Sequence, residues 1–244
     1  MYRNGIYLLI LVSIGFSSCK KEAGDGGLAT IEGILYEDLY DPAGAFSEQV
    51  PAAVKKVYLA YGDNTSYDDR VDTDANGKYQ FKSLQKGEYR LYAFSDCSTC
   101  SSGSVEVEVD VTISDKKGIT LASDITVVNI LDYNDGTGSI QGKLFEVEYD
   151  PGSPADTLDS YFKPDDNVYI VYNNDLTYFD KVKTDGSGVF QFTRLIKGSY
   201  RIYSFSDCSI LMSCPDGTEE KDVSTTITSN GQTVNIGTVT LAKR

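Results

Sequence analysis

The 244-residue chain has no histidine and no tryptophan. Without histidine there is no Ser-His-Asp or Cys-His nucleophile, no His-ligated zinc, and no residue of the commonest general-base type. Without tryptophan the largest aromatic platform for stacking on sugars is missing. Basic residues are sparse: 22 Lys and Arg stand against 36 Asp and Glu, a formal net charge of -14. That balance excludes the basic footprint expected of a nucleic-acid binder. It also disfavours an electrostatic grip on anionic lipid. Beyond the N-terminus no segment shows the 3.6-residue apolar period of an amphipathic helix.

The N-terminus reads as a targeting segment. Met1 to Gly5 carry one charge, on Arg3, and Ile6 to Phe16 form an apolar run too short to span a bilayer. Phe16-Ser17-Ser18-Cys19 follows and resembles a lipobox, with Phe16 where Leu is usual. The resemblance implies a signal peptide over 1–18, cleavage before Cys19, and acylation (palmitate included) of that cysteine. Lys20, not Asp, comes next. By resemblance to Gram-negative lipoproteins this implies an outer-membrane, lipid-anchored protein, periplasmic-facing or surface-exposed. Residues 19–29, ending KKEAGDGGLA, read as a lipidated flexible tether.

The rest of the chain repeats itself. Ile31-Glu32-Gly33-Ile34-Leu35-Tyr36 matches Ile140-Gln141-Gly142-Lys143-Leu144-Phe145, and Tyr40-Asp41-Pro42 matches Tyr149-Asp150-Pro151. The longest match sets Lys86-Gly87-Glu88-Tyr89-Arg90-Leu91-Tyr92-Ala93-Phe94-Ser95-Asp96-Cys97 against the run from Lys197 to Cys208. Two copies are too few for a solenoid, and each is long enough to close its own core. The boundaries read as repeat 1 over 30–131, a linker over 132–137 and repeat 2 over 138–244. The pattern within each copy is β. From Ser104 to Ile113, Val105, Val107, Val109, Val111 and Ile113 share one face, while Glu106, Glu108 and Asp110 share the other. Asn76-Gly77 between short β-rich runs predicts a hairpin turn, since both residues tolerate φ > 0.

Two motifs carry a family resemblance. Copy one reads Thr73-Asp74…Gly77…Tyr79…Phe81 and Leu84…Gly87…Tyr89…Leu91; copy two reads Thr184-Asp185…Gly188…Phe190…Phe192 and Leu195…Gly198…Tyr200…Ile202. With the Gly-containing first strand, these resemble the carboxypeptidase regulatory-like and Cna B-type domains. The resemblance implies an all-β chain of two tandem Greek-key prealbumin-like β-sandwiches, used elsewhere as spacers, stalks and enzyme appendages, so it says little about function. Some Cna B-type domains join a Lys to an Asn by an isopeptide bond. Lys143 and Asn235 lie in suitable strands, but copy one has Ile34 in place of Lys143, which favours a solvated Lys143.

Four cysteines remain beyond Cys19. Cys97 and Cys100, and Cys208 and Cys214, follow the same Phe-Ser-Asp element. An oxidising compartment and an even count predict one local disulfide per repeat. Asp72, Asp74 and Asn76 look like the first half of a calcium loop, but Ser83 stands where the closing Glu belongs, so a turn or weak Ca²⁺ binding are the readings. Alternation places Tyr58, Arg90 and Tyr92 on one outward face, repeated as Tyr169, Arg201 and Tyr203, a composition suited to a glycan or protein interface. The sequence therefore predicts no catalytic residue and no cofactor beyond weak Ca²⁺. It predicts a surface lipoprotein that binds, presents or spaces in an envelope assembly. Its partners are the membrane through the lipid anchor and an envelope protein or glycan, and not nucleic acid. Carbohydrate binding and a weak calcium-binding adhesin-like module are the alternatives.

Overall fold

The structure is a computed structural model that describes residues 23–150, 152–208 and 217–244. Among them are seventeen strands and no helix. The protein is all-β, two tandem Greek-key sandwiches, and the duplication seen in sequence is repeated in topology.

In the first repeat one sheet centres on β1 (Asp25–Tyr40). It pairs β2 (Phe46–Pro51), β5 (Lys78–Leu84), β8 (Lys117–Leu121) and β9 (Ile125–Ile130). The facing sheet runs β4 (Asp69–Asp72), β3 (Lys56–Tyr61), β6 (Gly87–Asp96), β7 (Ser104–Ile113). In the second repeat β10 (Gly138–Asp150) pairs β11 (Ser153–Phe162), β14 (Val189–Leu195) and β17 (Thr233–Lys243). Its facing sheet runs β13 (Asp180–Lys183), β12 (Asn167–Tyr172), β15 (Gly198–Asp207), β16 (Thr218–Ile227). The single β17 covers the span that β8 and β9 divide between them.

Of the described residues, 23–36, 51–94 and 106–125 form one compact unit, and 37–50, 95–105 and 126–244 form the other. The division crosses the first repeat instead of falling at 132–137. Within the second unit Asp41 accepts hydrogen bonds from the Tyr172 hydroxyl at 3.0 Å and the Asn173 amide at 3.5 Å, and Lys197 pairs with Glu48 at 2.7 Å. The expected linker is itself packed. Tyr133 stacks on Phe179, ring centroids 4.5 Å apart, and donates to Asp175. Residues 25–29 of the expected tether lie in β1, where Ala29 is buried.

Period-two alternation makes the cores. Ile31, Leu35, Leu59, Phe81 and Leu91 are buried in the first unit, and Ile140, Leu144, Ile170, Phe192 and Ile202 hold the matching places in the second. β7 occupies the predicted span, but only Val111 and Ile113 are buried and Val105 is exposed. Its N-terminal half extends past the core toward the tip.

The Asn76-Gly77 turn forms, with Gly77 at φ 73°, but it closes no hairpin. β4 and β5 lie in different sheets, so the turn carries the chain across the sandwich. The Asp74 carboxylate accepts from the amides of Asn76 (2.8 Å) and Lys78 (2.9 Å), and Asp185 does the same for Ser187 and Val189. The first-strand glycines have a packing cause. Gly33 is in register with Tyr79 and Gly142 with Phe190, and the aromatic ring lies over the glycine in both. A Cβ on Gly142 would stand 2.7 Å from Phe190 Cζ.

Candidate functional site

The predicted Tyr-Arg-Tyr constellations assemble, one in each unit. β3 runs antiparallel to β6 with Tyr58 opposite Tyr92, and β12 to β15 with Tyr169 opposite Tyr203. Directly opposed residues share a face. The rings stack at 5.1 Å in both copies, with interplanar angles of 14° and 15°.

Two aromatic rings per copy complete each cluster. Phe94, two residues beyond Tyr92, meets Tyr58 edge-on at 5.5 Å, and Phe205 meets Tyr169 at 5.7 Å. Tyr67 lies 5.1 Å from Tyr58, and Tyr178 lies 4.9 Å from Tyr169. These added rings are the exposed ones: Phe94 49%, Phe205 46%, Tyr67 47% and Tyr178 45%. Tyr92 and Tyr203 do not face solvent as expected. Both are buried, at 5% and 8%, against their stacked and edge-on neighbours. Burial, and then Glu106 in one copy and Glu220 in the other, push both phenols above the ordinary tyrosine range.

The arginines sit at the margin. Arg201 lies 4.9 Å from the Tyr203 ring and binds Glu220 at 2.6 Å; Arg90 lies 5.8 Å from the Tyr92 ring and pairs with Glu108 at 3.6 Å. Arg90 also donates to the carbonyl of Asn64, while its buried Nε has no partner among the described residues. Each cluster is thus an aromatic knob with an arginine paired to a glutamate at its rim. Alternation alone held the clue to Phe94 and Phe205, since they continue the face of Tyr92 and Tyr203. Tyr67 and Tyr178 come from loops, where period two gives no guidance.

Several solved structures are similar in fold. One is the Bacillus anthracis TIE protein, at 15% identity and a TM-score of 0.30, over 88% of this chain; the chain spans about a third of that protein's length, 34%. GBS52, the minor pilin of Streptococcus agalactiae, is 15% identical with a TM-score of 0.30, over 87% of this chain and 95% of the pilin. A streptococcal ancillary pilin is 14% identical with a TM-score of 0.28, over 88% of this chain and 62% of its own. No protein-family model and no curated protein matches the sequence. The functional reading therefore rests on the site itself.

The other candidate residues have local roles. Cys97 and Cys100 are joined by a disulfide, Cα atoms 5.4 Å apart, at the tip between β6 and β7. Cys208 is disulfide-bonded, while its expected partner Cys214 lies outside the described residues, as does Cys19. Asp72 pairs with Lys56 at 3.3 Å, Asp74 closes its turn, and Asn76 is exposed. No group of three acidic or thiol side chains converges among the described residues. Lys143 stands opposite Thr238, its ammonium 4.9 Å from the Phe162 ring, while Asn235 accepts from the amide of Gly237. Lys143 is solvated, as copy one suggested.

Proposed function

We propose that this protein is a non-catalytic, lipid-anchored surface module that binds an envelope protein through its two aromatic clusters. One observation carries the reading. The same four rings occur in both units at centroid distances that agree within a few tenths of an ångström, each cluster with an arginine beside it. A duplicated core is explained by packing. Duplicated rings that stay nearly half exposed are not, because leaving Phe94 and Phe205 in water forgoes apolar burial. Tyr, Phe and Arg are the residue types enriched in interface hot spots. The lipobox-like Phe16 to Cys19 supports placement at a membrane, with Lys20 favouring the outer one. The lack of histidine supports a role without catalysis. Calcium has no part in this reading, since the Asp74 carboxylate serves the turn amides.

A second reading is carbohydrate binding, favoured by the free area of Phe94 and Phe205, on which a pyranose could stack. One experiment separates the readings. Intact cells are crosslinked, and the protein is recovered through a C-terminal tag, as wild type and as Phe94→Ser/Phe205→Ser. A stoichiometric protein partner lost from the variant, whose melting midpoint is unchanged, establishes the first reading. Glycan retention lost in the variant establishes the second. Equal recovery by both proteins overturns the assignment to these clusters.

A further inference from the structure

The first unit has a second exposed apolar surface, on the opposite sheet from its aromatic cluster. Leu28, Ile119 and Leu121 are 76%, 63% and 76% exposed. They share one face, because parallel β1 and β8 set Leu28 beside Lys117, Thr30 beside Ile119 and Glu32 beside Leu121. Among the described residues β8 pairs with β1 alone and so forms an edge of the sheet. Lys82 is on the same face of β5 as Gln80, which stands opposite Glu32. The carboxylate of Glu32 is engaged by Lys78 at 2.8 Å and by Gln80. Lys82 and Lys117 thus share this face with the apolar residues and Lys116 adjoins it, while Asp124, three residues beyond Leu121, and Asp115, four before Ile119, are the nearest acidic residues in sequence.

The second repeat serves as an internal control. Ser139 beside Thr233 and Gln141 beside Asn235 reproduce the pairs Thr30–Ile119 and Glu32–Leu121. Carried along that register, Leu28, Ile119 and Leu121 become Thr137, Thr233 and Asn235, all exposed. Lys82, Lys116 and Lys117 become Thr193, Asn230 and Gly231. The fold therefore needs neither the apolar residues nor the lysines at these positions. Only the N-terminal copy has them, in a chain of net charge -14.

We infer that this face of β1 and β8 seats the first unit on an anionic phospholipid surface. The inference rests on the lipid-anchor reading. Five residues separate Cys19 from the start of β1 at Asp25, a reach of at most about 20 Å, so an acylated Cys19 holds this sheet near the bilayer. Exposed aliphatic side chains with lysines on the same strands match an acyl–headgroup boundary and provide the second signal that a lipid anchor commonly needs. Local charge, not the chain's acidic total, decides the contact, because charges beyond a Debye length of about 8 Å are screened.

The test uses the full-length protein purified from membranes. Intact mass reports acylation of Cys19. Hydrogen exchange is then followed in Lys117–Leu121 and in Thr233–Lys243, with vesicles of phosphatidylcholine alone or with 30% phosphatidylglycerol. The expected result is slowed exchange in the β8 peptide with phosphatidylglycerol, with less slowing on neutral vesicles and none in the β17 peptide. Leu28→Thr/Ile119→Thr/Leu121→Asn, which installs the second repeat's residues, should abolish the slowing and keep the same melting midpoint. Lys117→Gly should weaken partitioning roughly fivefold. Unchanged exchange in the acylated wild type overturns the inference and leaves the anchor reading intact. Protection that rises with protein concentration in the absence of vesicles overturns it in favour of self-association. A mass without acyl chains overturns the anchor reading, and the same vesicles then test the face alone.

Discussion

Tyr79 and Phe190 fill the same place in the two repeats, and the tyrosine's extra hydroxyl is buried with no hydrogen-bond partner among the described residues. The rings are otherwise equivalent. Tyr79 lies 6.2 Å from Phe81 at 63°, and Phe190 lies 6.2 Å from Phe192 at 64°. Burial, with a smaller push from Asp124, holds the Tyr79 phenol far above the ordinary tyrosine range. A buried hydroxyl without a partner costs about 1 to 3 kcal/mol. Tyr79→Phe, which makes the first repeat like the second, should therefore stabilise the protein by about 1 kcal/mol or more. Urea melts of both proteins provide the check; a lower midpoint for the variant would show that the hydroxyl has a partner in solution.

The same substitution at Tyr200 should have the opposite sign. The Tyr200 hydroxyl donates to the carbonyl of Ile196 at 2.7 Å, as Tyr89 does to that of Gln85. This ties the start of β15 to the turn before it, as β6 is tied in the first repeat, much like the tyrosine corner of immunoglobulin-type sandwiches. Tyr200→Phe strands the buried carbonyl and should cost about 1 to 2 kcal/mol. Paired melts of the Tyr79 and Tyr200 variants make the contrast internal to one protein.

Much of this was legible in sequence, for identifiable reasons. Period-two alternation and the duplication located the strands and gave Tyr58 and Tyr92, like Tyr169 and Tyr203, outward faces; the pairing of β3 with β6 and of β12 with β15 is what sets them side by side. Alternation assigns a face, however, and not an exposure. Tyr92 is on the outward face yet is covered by Tyr58 and Phe94. Turn chemistry was legible at Asn76-Gly77, but a turn residue does not reveal whether its flanking strands pair or pass to opposite sheets. The β8 face could not be read from local sequence. It exists only once parallel pairing with β1 brings residues 89 apart into register.

The disulfide at the β6–β7 tip should matter little to the core. Cys97 and Cys100 close a short loop, and the Cys97 amide already donates to the carbonyl of Gly103 at 3.0 Å. Loop-closure entropy for so small a ring is worth about 2 kcal/mol. Cys97→Ser/Cys100→Ser should lower the melting transition by no more than that and leave both aromatic clusters in place. Near-ultraviolet circular dichroism of the tyrosines reports the second point, and loss of that signal would show that the bridge organises more than its own tip.

Glu146 gives the fold a pH dependence in the second unit. Its carboxylate is buried and receives hydrogen bonds from Lys163 and from the Tyr161 hydroxyl. Burial is the largest single influence and works against ionisation. The Lys163 and Tyr161 hydrogen bonds together outweigh it and hold the carboxyl below its ordinary range. A depressed folded value adds stability that is present above the unfolded carboxyl pKa of about 4.3. That stability is lost as pH falls through the folded value. Lys163→Met removes the cation and its hydrogen bond and leaves only the Tyr161 bond and the Lys243 charge against burial, so the carboxyl should rise from its depressed value and the stabilisation at neutral pH should shrink. The variant should be less stable than the wild type by about 2 to 3 kcal/mol at pH 7. The gap should narrow as pH falls through the unfolded carboxyl pKa of about 4.3 and close below the wild type's folded value, where both proteins carry the neutral acid. Melting midpoints between pH 3 and 8 test this. A gap that stays constant with pH would place the loss in the packing of the Lys163 stem instead of in the ion pair.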